Sequence, residues 1–246
     1  MSCIGIILAG GEGTRLRPLT ISTNKHLLRI GKMPMIEYPL RKLISAGIKE
    51  IHIVTGGENY QGVVKYLGSG SRWNVRITYS IQDKSGGIAQ ALALAEPIAR
   101  KDKMVVILGD NVFEMELTTE VKKFEKAKHN SLACLFCTES LTPERFGVLK
   151  YSGKGVGEVI DIVEKPIEPP SNDIVTGIYF YTPDVFDVIR TLKPSARGEL
   201  EITDVNRDYI SRSKATIIAV EGKWTDCGTF ETLMKAEEQA RGVENV

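Results

Sequence analysis

Gly10, Gly11 and Gly13, with Arg15 two residues on, follow directly on an apolar run over residues 4–8. Glycines in such a place allow positive φ and let a ligand approach the main chain closely. Their N–H groups can converge on an anion. Arg15 adds a permanent charge on a fork that fits phosphate oxygens. The chemistry on offer is polyphosphate binding. Two familiar phosphate loops do not fit. A P-loop needs G-x-x-x-x-G-K-[ST], and no Gly-Lys-Ser/Thr occurs. The dinucleotide fingerprint needs G-x-G-x-x-G. Gly11 and Gly13 meet its first two places, but Leu16 stands at the third. A tight strand-to-loop turn without a ligand is the bland alternative, and the glycines and arginines crowded into residues 10–17 argue against it.

Asp110 follows a second apolar run, residues 104–108. It falls at the carboxyl end of a buried strand, where open α/β sheets bind ligands. A hard carboxylate near a phosphate loop suits magnesium, which prefers oxygen donors and nucleotide phosphates. Asp226 offers another carboxylate, though alone it reads as an Asx turn. Gln82 stands before Gly86 and Gly87 and a helical run from Ile88. Its amide donates and accepts at once, which suits the edge of a base. By itself this is an ordinary strand–loop–helix connection. Lys25 alone is a solvated loop lysine. Gly147, Gly177 and the pair Glu164–Lys165 each have plain readings as bulge, strand kink and surface ion pair.

Several classes are excluded by composition. With 26% charged residues and a net charge of +1, no basic surface for nucleic acid or membrane is indicated. No apolar run approaches the length of a membrane span, and residues 1–3 lead straight into the first strand, leaving no room for a signal peptide. A cytoplasmic protein is expected. Cys134 and Cys137 form a C-x-x-C, but they lie in an apolar, strand-like run with no second pair to complete a zinc site. They read as small buried hydrophobes. His26, His52 and His129 are scattered and suggest no metal cluster.

Positioning these residues requires a succession of elements. Strands are expected over 4–8, 51–54, 75–81 and 104–108. Helices are expected over 35–46 (stopped by Gly47), 59–67 (capped by Asn59) and 88–96. The alternation argues for an α/β fold with a Rossmann-like, mainly parallel sheet covered by helices. The second half reads differently, as strands over 132–138, 147–151, 156–163 and 175–181, then 215–220. That predicts a mixed sheet with a smaller antiparallel portion forming the other wall of a cleft. Thr203 is placed to cap a helix toward residue 210, and a closing helix is expected over 230–240. One domain with two lobes, about 1–130 and about 131–246, is predicted.

Residues 8–16 match L-A-G-G-x-G-T-R-L without a mismatch, and this resembles the signature of the sugar-phosphate nucleotidyltransferases. The resemblance implies a nucleotide-diphospho-sugar transferase fold. It also implies that Leu8, Ala9, Gly10, Gly11, Gly13, Thr14 and Arg15 wrap a nucleotide triphosphate, with Arg15 on the phosphates during reaction. Lys25 matches the family's phosphate-contacting lysine in K-x-L-L-P, with His26 for an often-seen glutamine and Arg29 for the proline. Residues 82–91 resemble the base-recognition pattern Q-x(4)-G-[LI]-A-Q-A, which implies that Gln82 and Gly87 read a pyrimidine. L-G-D-N at 108–111 and W-x-D-x-G-T at 224–229 imply a Mg²⁺ site on Asp110 and Asp226, with Asn111 beside the substrate. F-G-V, E-K-P and T-G-[IL]-Y-x-Y imply a sugar-phosphate site: Gly147 and Gly177 near the sugar, Glu164 on its hydroxyls and Lys165 on its phosphate. G-E-L-E-I-T-D at 198–204 is present in full and is read as structural.

Within that family the chain most resembles short-form glucose-1-phosphate thymidylyltransferases, since it stops soon after the closing helix. The implied reaction transfers a nucleotidyl group from dTTP (or UTP) to glucose 1-phosphate, with Mg²⁺ and with Arg15, Lys25 and Asp110 as catalytic residues. A homo-oligomer, dimer or tetramer, is implied as well. A regulatory subunit that kept the fold and lost the chemistry is the alternative of another class, and it would be expected to lack one of the aspartates or the arginine. A dehydrogenase is weaker, for want of the third fingerprint glycine.

Overall fold

The structure, a computed structural model, describes residues 3–127, 132–153 and 157–243. In chain order the elements are β1 (Ile4–Ala9), β2 (Arg29–Ile30), β3 (Met33–Pro34), α1 (Glu37–Ser45), β4 (Glu50–Gly56), α2 (Tyr60–Leu67), β5 (Arg76–Gln82), α3 (Ile88–Ala93), α4 (Glu96–Ala99), β6 (Met104–Leu108), β7 (Asn111–Phe113) and α5 (Thr118–Lys126). They continue with β8 (Ala133–Glu139), β9 (Gly147–Tyr151), β10 (Val159–Glu164), β11 (Asp173–Tyr181), α6 (Val185–Thr191), α7 (Ile202–Ser211), β12 (Ala215–Ala219), β13 (Trp224–Asp226) and α8 (Phe230–Val243).

Nine of these strands form one sheet, in the order β10-β9-β11-β6-β1-β4-β5, with β8 pairing β11 and β12. The strands β6, β1, β4 and β5 run parallel. Every residue of β1 is buried, the reason its sequence shows no polar alternation: both faces of a parallel sheet are covered. Ile6 and Leu8 enter the core cluster with Leu92, Val106 and Tyr179, while Ile7 and Ala9 enter the opposite one with Leu40, Ile53 and Phe180. The antiparallel portion begins where β11 pairs β6. Then β8 and β9 pair β11, and β10 pairs β9. The mainly parallel, mixed sheet expected from the sequence is the observed one.

Several local expectations fail. Asn59 does stand at the N-cap of α2, but its side chain makes no capping bond. The helix expected over 88–96 is broken into α3 and α4, with Pro97 in the first turn of the second. Thr203 does not cap α7; Glu201 holds that place, and the Thr203 hydroxyl is spent on Glu164 instead. Asp226 ends a β-strand rather than an Asx turn. Of the strand expected over 156–163, the first residue lies outside the described residues, as does His129; the strand itself begins at Val159. Cys134 and Cys137 point to opposite faces of β8, into different core clusters, as three-residue spacing on a strand dictates. Among the described residues no helix is long and apolar enough to cross a membrane.

Candidate active site

The carboxyl ends of β1 and β6 open onto a cavity of ≈ 300 Å³ lined by Leu8, Gly10, Gly11, Arg15, Lys25, Gln82, Gly87 and Asp110. Most of the residues expected on a nucleotide therefore face one space. Ala9, Gly13 and Thr14 do not line it. Ala9 is wholly buried in β1. The Gly13 carbonyl accepts the Thr20 hydroxyl at 2.8 Å, and Thr14 opens the short 3-10 turn, Thr14–Leu16, that carries Arg15. Two of the glycines stand where a side chain would crowd a neighbour. A Cβ on Gly10 would lie 2.0 Å from Gln82 Oε1, and one on Gly87 (φ 98) would lie 2.4 Å from the Leu200 carbonyl oxygen. Gln82 is buried, and its amide donates to Gln90 Oε1 at 2.5 Å.

A second cavity of ≈ 450 Å³ adjoins the first. Asp110 and Arg15 line both. Asn111, Gly147, Glu164, Lys165, Gly177 and Asp226, all placed on the sugar phosphate or metal from the sequence, line this second cavity. Glu164 Oε2 accepts the Thr203 hydroxyl at 2.5 Å, and its Oε1 accepts from Arg197 at 3.1 Å. Lys165 holds a left-handed backbone, φ 42, immediately before Pro166. A non-glycine residue costs about 1–3 kcal/mol there and marks positions where function sets the conformation. Its N–H is fixed by the Phe146 carbonyl at 2.9 Å.

Asp110 and Asp226 are far apart in sequence and adjacent in space. The two-stranded pairing of β7 with β13 puts Asn111 opposite Asp226, and the Cys227 N–H donates to the Asp110 carbonyl at 2.9 Å. Lys25 Nζ lies 2.5 Å from Asp110 Oδ2. Burial works against charging Asp110, yet the Lys25 ammonium beside it holds its carboxyl below the usual range. Asp226 goes the other way: burial, then the charge of Asp110, pushes it up. Lys25, Arg15 and Arg145 all act against that push on Asp226, and the hard oxygens of the two adjacent carboxylates suit a small divalent cation. His26 is different in kind. Burial, then Lys25, lowers it to about 3, so it is neutral and adds no charge.

Sequence reasoning missed Arg145, Arg197 and Trp224, all on the second cavity. Trp224 opens the W-x-D-x-G-T pattern but was given no role there, and Arg197 stands just before the G-E-L-E-I-T-D pattern. A free-standing arginine among Glu199 and Glu201 was the available signal for Arg197.

The chain belongs to the nucleotidyl transferase family, whose model matches residues 4–242. Glucose-1-phosphate thymidylyltransferase from Mycobacterium tuberculosis (strain H37Rv) is 39% identical over 243 residues, 98% of this chain and 83% of that one. The enzyme of the same name from Neisseria meningitidis is 39% identical over 245 residues, 98% of this chain and 84% of its own. A crystal structure of a Bacillus anthracis protein, provisionally assigned the same name and bound to sucrose, is similar at a TM-score of 0.91 and 48% identity, covering 98% of this chain and 96% of that one. A UDP-glucose pyrophosphorylase bound to UDP-glucose is similar at a TM-score of 0.85 and 27% identity, covering 98% and 99%.

Proposed function

We infer that this chain transfers the nucleotidyl group of dTTP to glucose 1-phosphate, giving dTDP-glucose and pyrophosphate. The observation that carries the reading is the carboxylate pair, Asp110 and Asp226, at the junction of a glycine-walled cavity and a second cavity bearing Glu164 and Lys165. The named relatives supply the substrates. An oxygen of the sugar phosphate attacks the α-phosphorus. A new P–O bond forms there, the bond from the α-phosphorus to the bridging oxygen breaks, and pyrophosphate departs with that electron pair. The attacking group is already an anion, so no strong general base is needed. The difficulty is bringing two anions together. Arg15 and Lys25 offer positive charge on the nucleotide side and Lys165 on the sugar side, and alignment in a closed site supplies the rest.

Magnesium belongs to the reading as a proposal. Asp110 and Asp226 would hold it, and when bound it would neutralise charge on the phosphates and polarise the α-phosphoryl group. The proposed setting is the cytoplasm, supported by cysteines that are buried rather than joined in disulfides among the described residues.

UTP is the competing nucleotide, favoured by the likeness to the UDP-glucose pyrophosphorylase. Thymine and uracil share their hydrogen-bonding edge, and a methyl group discriminates by only about 1–3 kcal/mol. The test is pyrophosphate release from glucose 1-phosphate with dTTP, UTP, CTP, ATP and GTP in turn, with and without Mg²⁺. Release with dTTP well above the rest supports the inference. Release with UTP at an equal or higher rate replaces it with a uridylyl or mixed pyrimidine activity. Silence with every nucleotide, and with a panel of other sugar phosphates, overturns it in favour of a regulatory subunit.

A further inference from the structure

The first turn of α3 walls the nucleotide cavity through Ile88, but what holds the far end of this helix lies outside both cavities. Leu94 closes α3, and its carbonyl has lost its helical donors. Pro97, three residues on, has no N–H. The Ile98 N–H goes to the Ala95 carbonyl at 3.1 Å, and among the described residues no backbone N–H reaches the Leu94 carbonyl. The Ser80 hydroxyl on β5 does reach it, at 3.2 Å. A carbonyl sheltered from water needs a donor, and this bond closes the break between α3 and α4.

A serine hydroxyl has one proton to give. With that proton directed at Leu94, which can only accept, the Ser80 oxygen must accept from His52 Nε2, 2.9 Å away. His52 stands on the neighbouring strand β4 and is 1% exposed. Its Nε2 therefore carries the ring proton, and the bare Nδ1 accepts the Thr78 hydroxyl at 2.7 Å. The order of donors is fixed from end to end: Thr78 to His52, His52 to Ser80, Ser80 to Leu94. Thr78, Ser80 and Gln82 share one face of β5, as alternate residues of a strand do. Gln82 holds the other end of α3, where its Nε2 donates to the Gly87 carbonyl at 3.4 Å and to Gln90 Oε1. So β5 grips α3 at both ends.

We propose that Ser80 is a positioning residue, oriented by His52, that fixes the end of α3 and thereby the place of Ile88 and the Gly87 turn on the nucleotide cavity. The proposal rests on the nucleotidyl-transfer reading for its effect on nucleotide affinity. Neither Ser80 nor His52 lines either cavity, so each acts through α3 and touches no substrate. The plainer reading is that the three side chains only satisfy one another beside the sheet, which gives stability and leaves the nucleotide indifferent to them.

Nitrogen-15 NMR of the imidazoles at neutral pH is expected to show His52 of the unaltered protein as the Nε2–H tautomer, its signals being those missing from His52→Gln. Ser80→Ala removes the link to Leu94. Its Kd for dTTP by calorimetry should rise about fivefold or more, while KM for glucose 1-phosphate stays within about threefold. Ser80→Thr keeps the hydroxyl and should restore the parent affinity for dTTP. The Nδ1–H tautomer in the unaltered protein would reverse the order of donors and overturn the proposal. So would an unchanged dTTP Kd in Ser80→Ala with a lowered stability to urea, which is the plainer reading, or a Ser80→Thr protein as weak as Ser80→Ala. Were the parent protein inactive with every nucleotide, the functional reading would fall. Amide exchange over Leu92 to Ala95 would then decide whether Ser80 holds α3: faster exchange in Ser80→Ala supports the grip, and unchanged exchange removes it.

Discussion

At the scale of single residues, the two aspartates are alike in type and opposite in circumstance. Asp110 has the Lys25 ammonium at contact distance, and Asp226 has Asp110 itself as its dominant charged neighbour after burial. Asp110→Asn keeps the shape and removes the charge. Turnover should fall about 100-fold or more, with the far-ultraviolet circular dichroism spectrum unchanged; near-normal turnover would remove Asp110 from the chemistry. Lys165 offers a second test. Its left-handed backbone is strained for a lysine and free for a glycine. Lys165→Gly should leave stability unchanged or raise it by up to about 1 kcal/mol, while KM for the sugar phosphate rises at least tenfold. Urea denaturation and initial-rate kinetics on the same preparation check both halves. The site chemistry at this scale was largely legible, since the glycines, Arg15 and Asp110 announce themselves by type and spacing, while Lys25, a plain loop lysine by itself, is picked out only by the resemblance. The engagement of Thr203 and Ser80 was not, because a hydroxyl has several partners open to it and only packing chooses.

At the scale of elements, β4 and β5 carry a polar inclusion within an apolar sheet. His52 on β4 is 1% exposed, and its Nδ1 and Nε2 lie 2.7 and 2.9 Å from the hydroxyls of Thr78 and Ser80 on β5. Burial lowers it to about 4, below its ordinary value of about 6.5. The folded state therefore keeps His52 neutral where the unfolded chain binds a proton. The associated stability is fully present above pH ~6.5 and is lost as pH falls toward the folded value, in all about 3 kcal/mol. His52→Gln should flatten that part of the stability profile between pH 6.5 and 4, measured by urea denaturation. An unchanged slope would show that His52 does not titrate on unfolding. The turn before α3 makes another element-scale test. Gly87→Ala forces an unfavourable φ and meets the Leu200 carbonyl, and Leu200 is also tied to this turn by its N–H to the Gly86 carbonyl at 2.8 Å. The Kd for dTTP should rise at least tenfold by calorimetry, and an unchanged Kd would place the base elsewhere. The strands of the main sheet were readable because apolar runs of β-branched residues have few alternatives, while the short strands β2, β3, β7 and β13 were not. The split of α3 from α4 and the Glu201 cap were not, since local propensity leaves them open.

At the scale of the whole molecule, the two cavities share Asp110 and Arg15, so both substrates should be bound together before any bond breaks. Initial-rate plots should intersect, and labelled pyrophosphate should not exchange into dTTP in the absence of glucose 1-phosphate. Exchange without the sugar phosphate would demand a covalent nucleotidyl-enzyme and a nucleophile that the proposed mechanism does not use. By itself the sequence determined the kinds of element, the alternation that makes a parallel sheet, and the anion-binding character of the first loop, because periodicity and glycine placement act over a few residues. The tertiary structure decided what distance along the chain conceals. The insertion of β11 between β6 and β8, the pairing of β7 with β13 that brings Asp226 beside Asp110, and the line from His52 through Ser80 to Leu94 all depend on backbone and side-chain hydrogen bonds seeking partners once the chain has collapsed. A buried donor or acceptor must be satisfied by whatever the fold brings near, and nothing local in the sequence names that partner.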